Sequence, residues 1–229
     1  MKNMKKQVIA IVAAMGICLT AQAQSQKIPL TTANLTPHLT KMSVETQGGK
    51  DVVRVVKSPD VIKVDEPTYV RVKDLDFKDG IVELKVMGRL LPEAPDSARA
   101  FIGLAFRINA DDSKFEGIYL RPTNGIAMNQ IRRNRSVQYF SYPDFKFSDS
   151  RKVAPGEFES YADIAPDVWI KLKIVVQGSN AQLFINDSKN PNLIVNNMKM
   201  GAGQSGALGL WVDIGTEGYF KDLIVTKAK

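Results

Sequence analysis

Arginine, amide and aromatic side chains crowd into residues 121–142, a mixture suited to a ligand rich in hydroxyls or bearing a carboxylate. Guanidinium forks donate in parallel to paired oxygens, amides both donate and accept, and aromatic rings offer an apolar face to a sugar ring. The candidates are Arg121, Asn124, Arg132, Arg133, Asn134, Gln138, Tyr139 and Tyr142. If residues 132–140 are extended, alternation sets Arg133, Arg135, Val137 and Tyr139 on one face. Arg132, Asn134, Ser136, Gln138 and Phe140 then take the other. The competing role is a basic turn and outer strand whose arginine stems cover apolar surface while their heads stay in water.

Carboxylates recur at even spacing a little later, at Glu157, Glu159 and Asp163, with Tyr161 in the same phase. On an extended backbone all four share a face, with neighbours about 6.5 Å apart. Two carboxyl groups near that separation meet a first requirement of glycoside hydrolysis, in which a proton donor and a base or nucleophile flank the scissile bond. A solvated strand edge between Pro155 and Pro166 would produce the same pattern. Trp211, with Asp213, Glu217 and Tyr219 about Gly215, forms a third cluster in which Trp211 is either a stacking platform or a core residue.

One histidine and one cysteine in 229 residues exclude metal sites built on imidazole and thiolate, and nucleophilic catalysis that needs a placed imidazole. His38, between Pro37 and Leu39, is read as incidental. Residues 201–206 fit G-x-G-x-x-G, but strand-like sequence follows and no helix, so dinucleotide binding is rejected.

The elements that would position these groups are strands. Residues 52–56, 69–73, 81–86, 101–108, 116–120, 169–176, 181–185, 207–213 and 219–226 are apolar or alternating runs bounded by turn residues. Residues 169–185 form the plainest hairpin, turning at Gly178, Ser179 and Asn180. No window sustains an amphipathic helix, although residues 163–167 could form one turn. Many strands and almost no helix predict an all-β, antiparallel two-sheet jelly-roll sandwich.

Residues 1–23 join a lysine-rich start, an apolar run and Ala21-Gln22-Ala23, the pattern of a signal peptide cleaved after Ala23. The apolar run is too short to span a membrane, and Ile17 ahead of Cys18 argues against a lipid anchor. Cleavage leaves 206 residues without cysteine, and the loss of three lysines reduces the net charge from +7 to +4. That excess is too mild to indicate a nucleic-acid partner. The expected organisation is a signal peptide (1–23), an extended N-terminal lead-in (24–40) and one jelly-roll domain (41–229), located in the periplasm or secreted.

Four pieces carry a family resemblance: residues 77–84; 101–107 with 119–122; the hairpin from Trp169; and 206–211 with 218–223. They resemble the concanavalin A-like lectin and glucanase superfamily, particularly laminin-G-like domains related to the 3-keto-disaccharide hydrolase family of bacterial secreted proteins. The resemblance implies a curved sheet facing a glycan, and it places many relatives in polysaccharide or glycoside breakdown. Some laminin-G-like relatives bind calcium at the sandwich rim, where Asp111, Asp112 and Ser113 could contribute; otherwise no cofactor or metal is expected. The Glu-x-Asp-x-x-Glu strand of the related family 16 glucanases is missing. The resulting expectation is an exported domain that recognises a glycan or glycoside, with residues 121–142 and 157–163 beside its groove. The alternatives are hydrolysis or elimination on a glycoside in the same groove, and a structural or protein-interaction sandwich. A glycan is the expected partner, with no nucleic acid and no membrane span, and protein partners undefined.

Overall fold

The computed structural model describes residues 24–228. The export signal and its cleavage position lie outside the described residues.

The described residues form two antiparallel sheets. One runs β13 (Leu193–Val195), β12 (Asn180–Ile185), β11 (Ile170–Gln177), β6 (Gly80–Leu90), β15 (Thr216–Lys227), β4 (Lys50–Lys57) and β3 (Thr40–Gln47). The short β1 (Ser25–Lys27) pairs with the end of β15. The other sheet runs β10 (Glu159–Ser160), β9 (Val137–Tyr142), β8 (Phe115–Leu120), β7 (Ile102–Ile108), β14 (Ala207–Val212), β5 (Tyr69–Val72) and β2 (Leu35–His38). The lead-in segment thus supplies a strand to each sheet.

Alternation sets which face of each strand meets the other sheet. In β11 the buried residues are Ile170, Leu172, Ile174 and Val176, and in β6 they include Val82, Leu84 and Val86. They meet Leu104, Phe106, Ile118, Leu120, Val137, Tyr139 and Leu210 of the opposite sheet in one continuous core. Removing one such aliphatic side chain would cost about 2–5 kcal/mol through lost burial and the cavity left behind.

The seven-stranded sheet is buried on both faces, because its outer face carries a second aromatic cluster of Tyr69, Phe115, Tyr119, Phe140 and Trp211. Tyr119 lies 4.8 Å from Trp211 and 5.4 Å from Phe140. Gly103, between Tyr119 and Trp211 in the ladder, allows this contact; a Cβ there would meet the Ile118 carbonyl oxygen at 2.2 Å. The connection before β5 and the segment after β9 cover the cluster. Trp211 Nε1 donates to the Glu66 carbonyl at 2.9 Å, and Lys146 pairs with the Glu66 carboxylate at 2.6 Å.

Among the described residues there are three short helices, α1 (Pro122–Gly125) and α2 (Gln130–Arg133) between β8 and β9, and α3 (Phe147–Val153) after β9. Pro122 opens α1, where its missing N–H costs nothing. The Asn129 side chain caps α2 by accepting from the Arg132 N–H at 3.0 Å. The Lys146 N–H donates to the Asp149 carboxylate at the start of α3. Residues 163–167, which could have formed one helical turn, are irregular chain ending in a turn at Pro166 and Asp167.

Candidate functional site

Register builds the site. Glu159, Gln138, Tyr119, Gly103, Trp211, Tyr69 and His38 are paired in succession across all seven strands, so their side-chain positions lie on the outer face of the sheet. Arg121 and Asp213 follow Tyr119 and Trp211 by two residues, continue that face just beyond the strand ends, and line a cavity of about 260 Å³. Phe101 and Tyr119 contribute rings from the sheet, and Phe147 contributes one from α3. Arg99, Arg132, Arg135 and Arg151 close the walls, with Asn124, Ser97 and Asp65 between them.

Glu159 anchors the arginines. Its carboxylate accepts from Arg121 at 3.2 Å and from both Nε and Nη2 of Arg151, and it lies 3.5 Å from Arg135 Nε. Arg121 also donates to the Tyr119 hydroxyl at 2.7 Å, to Gln138 Oε1 at 3.2 Å and to the Arg135 carbonyl at 3.1 Å. Five donors in a fixed plane make arginine able to serve four such acceptors at once. The Phe147 ring packs beneath Arg151 and Arg121, with centroid distances of 4.8 and 5.8 Å.

Two buried aspartates also line the cavity. Asp213 pairs with the buried Lys57 at 2.5 Å and accepts the Asp65 backbone N–H at 2.8 Å. Asp65 has φ of 50°, a left-handed conformation that aspartate tolerates, and this conformation accompanies the turn of its N–H toward Asp213. Burial, with the charge of Asp213 second, pushes the Asp65 carboxyl up to about 6. Burial, reinforced by the charges of Arg132 and Arg121, lowers the Arg99 guanidinium from its usual value.

Of the residues singled out in the sequence, Arg121, Asn124 and Arg132 line this cavity, while Gln138 and Glu159 support its floor. Tyr139 is a correction. Residues 130–133 form α2 and the strand begins only at Val137, so no uninterrupted alternation joins Arg133 to Tyr139. Tyr139 pairs with Ile118 on the core face, and its hydroxyl donates to Glu116 and accepts from the Lys199 N–H. The shared face of Glu157, Glu159, Tyr161 and Asp163 is likewise absent, because only Glu159 and Ser160 are strand. Glu159 is buried among arginines, whereas Glu157 and Asp163 are exposed and paired with no basic residue among the described residues.

Arg133 and Tyr161 meet outside the cavity, Nη2 donating to the hydroxyl at 3.0 Å. Asn134 is exposed and accepts from Gln130, and the Tyr142 hydroxyl donates to Glu66 over the aromatic cluster. Trp211 is 1% exposed and belongs to that cluster, which removes it as an open stacking platform. Asp112 is engaged by Arg71 at 2.5 Å and Tyr69 at 2.7 Å, and Asp111 accepts from Ser113. His38 stacks on Tyr69 with ring centroids 5.4 Å apart.

Asp65, Arg99, Phe147 and Arg151 escaped the sequence reading. Each is isolated in the chain and reaches the cavity through a connection rather than a patterned strand. The spacing of eight residues between Arg151 and Glu159 carries no periodic signal.

Solved structures resemble the fold. The carbohydrate binding module CBM66 from Bacillus subtilis is 12% identical, with a TM-score of 0.51 over 84% of this chain and 96% of the module. A provisionally named glycosyl hydrolase from Parabacteroides distasonis is 14% identical, with a TM-score of 0.52 over 90% of this chain and 100% of its own. The exoplasmic/lumenal domain of VIP36, in a Ca2+/Man3GlcNAc-bound form, is 12% identical, with a TM-score of 0.50 over 90% and 88%. These likenesses identify the fold as a concanavalin A-like sandwich. No protein-family model and no curated protein matches the sequence.

Proposed function

We propose that this protein is an exported, periplasmic or secreted domain that binds a saccharide in the arginine-lined cavity and serves bacterial glycan utilisation. The convergence of five guanidiniums and three aromatic rings on one cavity carries the proposal. Forks and amides suit hydroxyls spread around a ring, and the rings suit its apolar face. A volume of about 260 Å³ falls just below the range of pockets for drug-sized ligands, which fits one sugar residue with its chain continuing outward. The same fold carries binding in the CBM66 module and accommodates Man3GlcNAc in the VIP36 domain. Among the described residues no helix is long and apolar enough to cross a membrane.

The test is a glycan array probed with the parent and with Phe147→Ala, which removes the ring under Arg121 and Arg151. Selective binding that falls at least tenfold in the variant supports the proposal. An array without any binder contradicts it.

Asp65 favours a second reading, cleavage of a bound glycoside. A carboxyl raised to about 6 can act as a proton donor near neutrality, and the Asp213 carboxyl group, which accepts the Asp65 backbone N–H, lies beside it. Product release from array-positive glycans, reduced at least a hundredfold by Asp65→Asn with binding retained, would establish it.

A further inference from the structure

Building on the saccharide reading of this cavity, we infer that the bound sugar carries an anionic group, a carboxylate or a sulfate ester, held by Arg99 and Arg132. Charge balance leads there. Three of the five arginines share the single carboxylate of Glu159, and Asp213 is already matched by Lys57. Within the cavity lining Asp65 alone remains to offset the other two guanidiniums, with the exposed Asp96 acting on Arg99 from outside it, so the cavity carries a positive excess.

Arg99 and Arg132 hold the uncompensated part. Arg99 donates to the carbonyl oxygens of Asp96 and Ala98, and Arg132 Nε donates to Asn124 Oδ1 at 3.3 Å. Neither forms an ion pair among the described residues. Both nonetheless line the same cavity, where burial first and the charge of Arg132 second lower the Arg99 guanidinium from its usual value. An anion between them would relieve that repulsion and accept charge-assisted hydrogen bonds, which are about twice as strong as neutral ones. A neutral sugar would offer hydroxyl acceptors and leave the repulsion in place. Discrimination of this kind rests on an otherwise unpaired charge in the binding site.

The experiment is calorimetric titration of the protein with matched sugars: glucose, glucuronic acid and glucose 6-sulfate, then galactose, galacturonic acid and galactose 6-sulfate. Inorganic sulfate serves as the bare anion. Arg99→Gln and Arg132→Gln are titrated alongside, with Lys173→Gln on the other sheet as a control for general charge. The expected result is at least a tenfold preference for an acidic sugar over its neutral partner. That ratio should fall below threefold in both arginine variants and persist in Lys173→Gln. Preference for the uronates assigns a carboxylate ligand, and preference for the 6-sulfates assigns a sulfate ester.

Neutral and acidic sugars binding equally would overturn the charge inference while leaving the saccharide reading intact. No binding by any sugar would overturn both. Sulfate binding as tightly as a sulfated sugar would make this a site for the free anion and would also overturn the inference. Near-ultraviolet circular dichroism confirms that each variant is folded before its ratio is read.

Discussion

The Arg121 guanidinium meets the Glu159 carboxylate at 3.2 Å beneath the cavity floor, and both side chains are almost completely buried. Arg151 and Arg135 converge on the same carboxylate, so Glu159 is the counter-ion that allows three arginines to stand together. Glu159→Gln keeps the shape and removes the charge. It should destabilise the fold by about 3 kcal/mol, because breaking a buried pair strands the remaining charge. Urea unfolding measures this, and a variant as stable as the parent would remove Glu159 from the structural role assigned to it.

Asp65 makes stability depend on pH in the direction opposite to an ion-paired carboxylate. Its folded value of about 6 lies above the ordinary 3.8, so between these limits the folded protein binds more protons than the unfolded chain. This contribution to stability therefore declines as pH rises from 3.8 to about 6 and stays unfavourable above that range. Asp65→Asn should be more stable than the parent at pH 7.5, by at most about 3 kcal/mol. The advantage should shrink toward pH 4. Unfolding curves at four or five pH values check both the sign and the window.

Tyr139→Phe separates core from site. The hydroxyl bonds to Glu116 and the Lys199 N–H lie on the core side of the sheet, away from the cavity. Their loss should cost about 1–3 kcal/mol, since a buried carboxylate and a backbone donor lose their partner. Saccharide affinity should remain within twofold, by titration on folded protein.

Sequence patterning was sufficient wherever side chains alternate. β6, β11 and β12 follow from period-two burial, and the turn at Gly178 follows from its residues. The cavity was only partly legible. Arg121, Asn124 and Arg132 stood out by composition, but the extended reading of residues 132–140 failed at its start because the Asn129 cap diverts the chain into a helical turn. Glu159 was noticed for its spacing to other acids, whereas its real partners are arginines 8, 24 and 38 residues away. Local periodicity contains nothing about such pairs, which exist only after the sheet register brings β8, β9 and β10 side by side.

Arg133 and Tyr161 form a surface pair, with the guanidinium carbon 5.2 Å from the ring centroid. Arg133→Ala should change stability by less than about 0.5 kcal/mol, as substitutions on the protein surface usually do. If the sugar chain leaves the cavity past α2, the variant weakens tetrasaccharide binding about threefold or more and leaves monosaccharide binding unchanged. Paired titrations decide between that path and one on another side.

Ser97→Trp tests the central claim most directly. Ser97 is exposed on the cavity wall, so an indole there should obstruct the cavity without entering the core. Titration of parent and variant with the best saccharide from the array should show affinity reduced at least a hundredfold, with an unfolding midpoint within 2 °C, about the shift expected from a change of half a kcal/mol or less. Full affinity in the folded variant would place the binding site elsewhere and contradict the account.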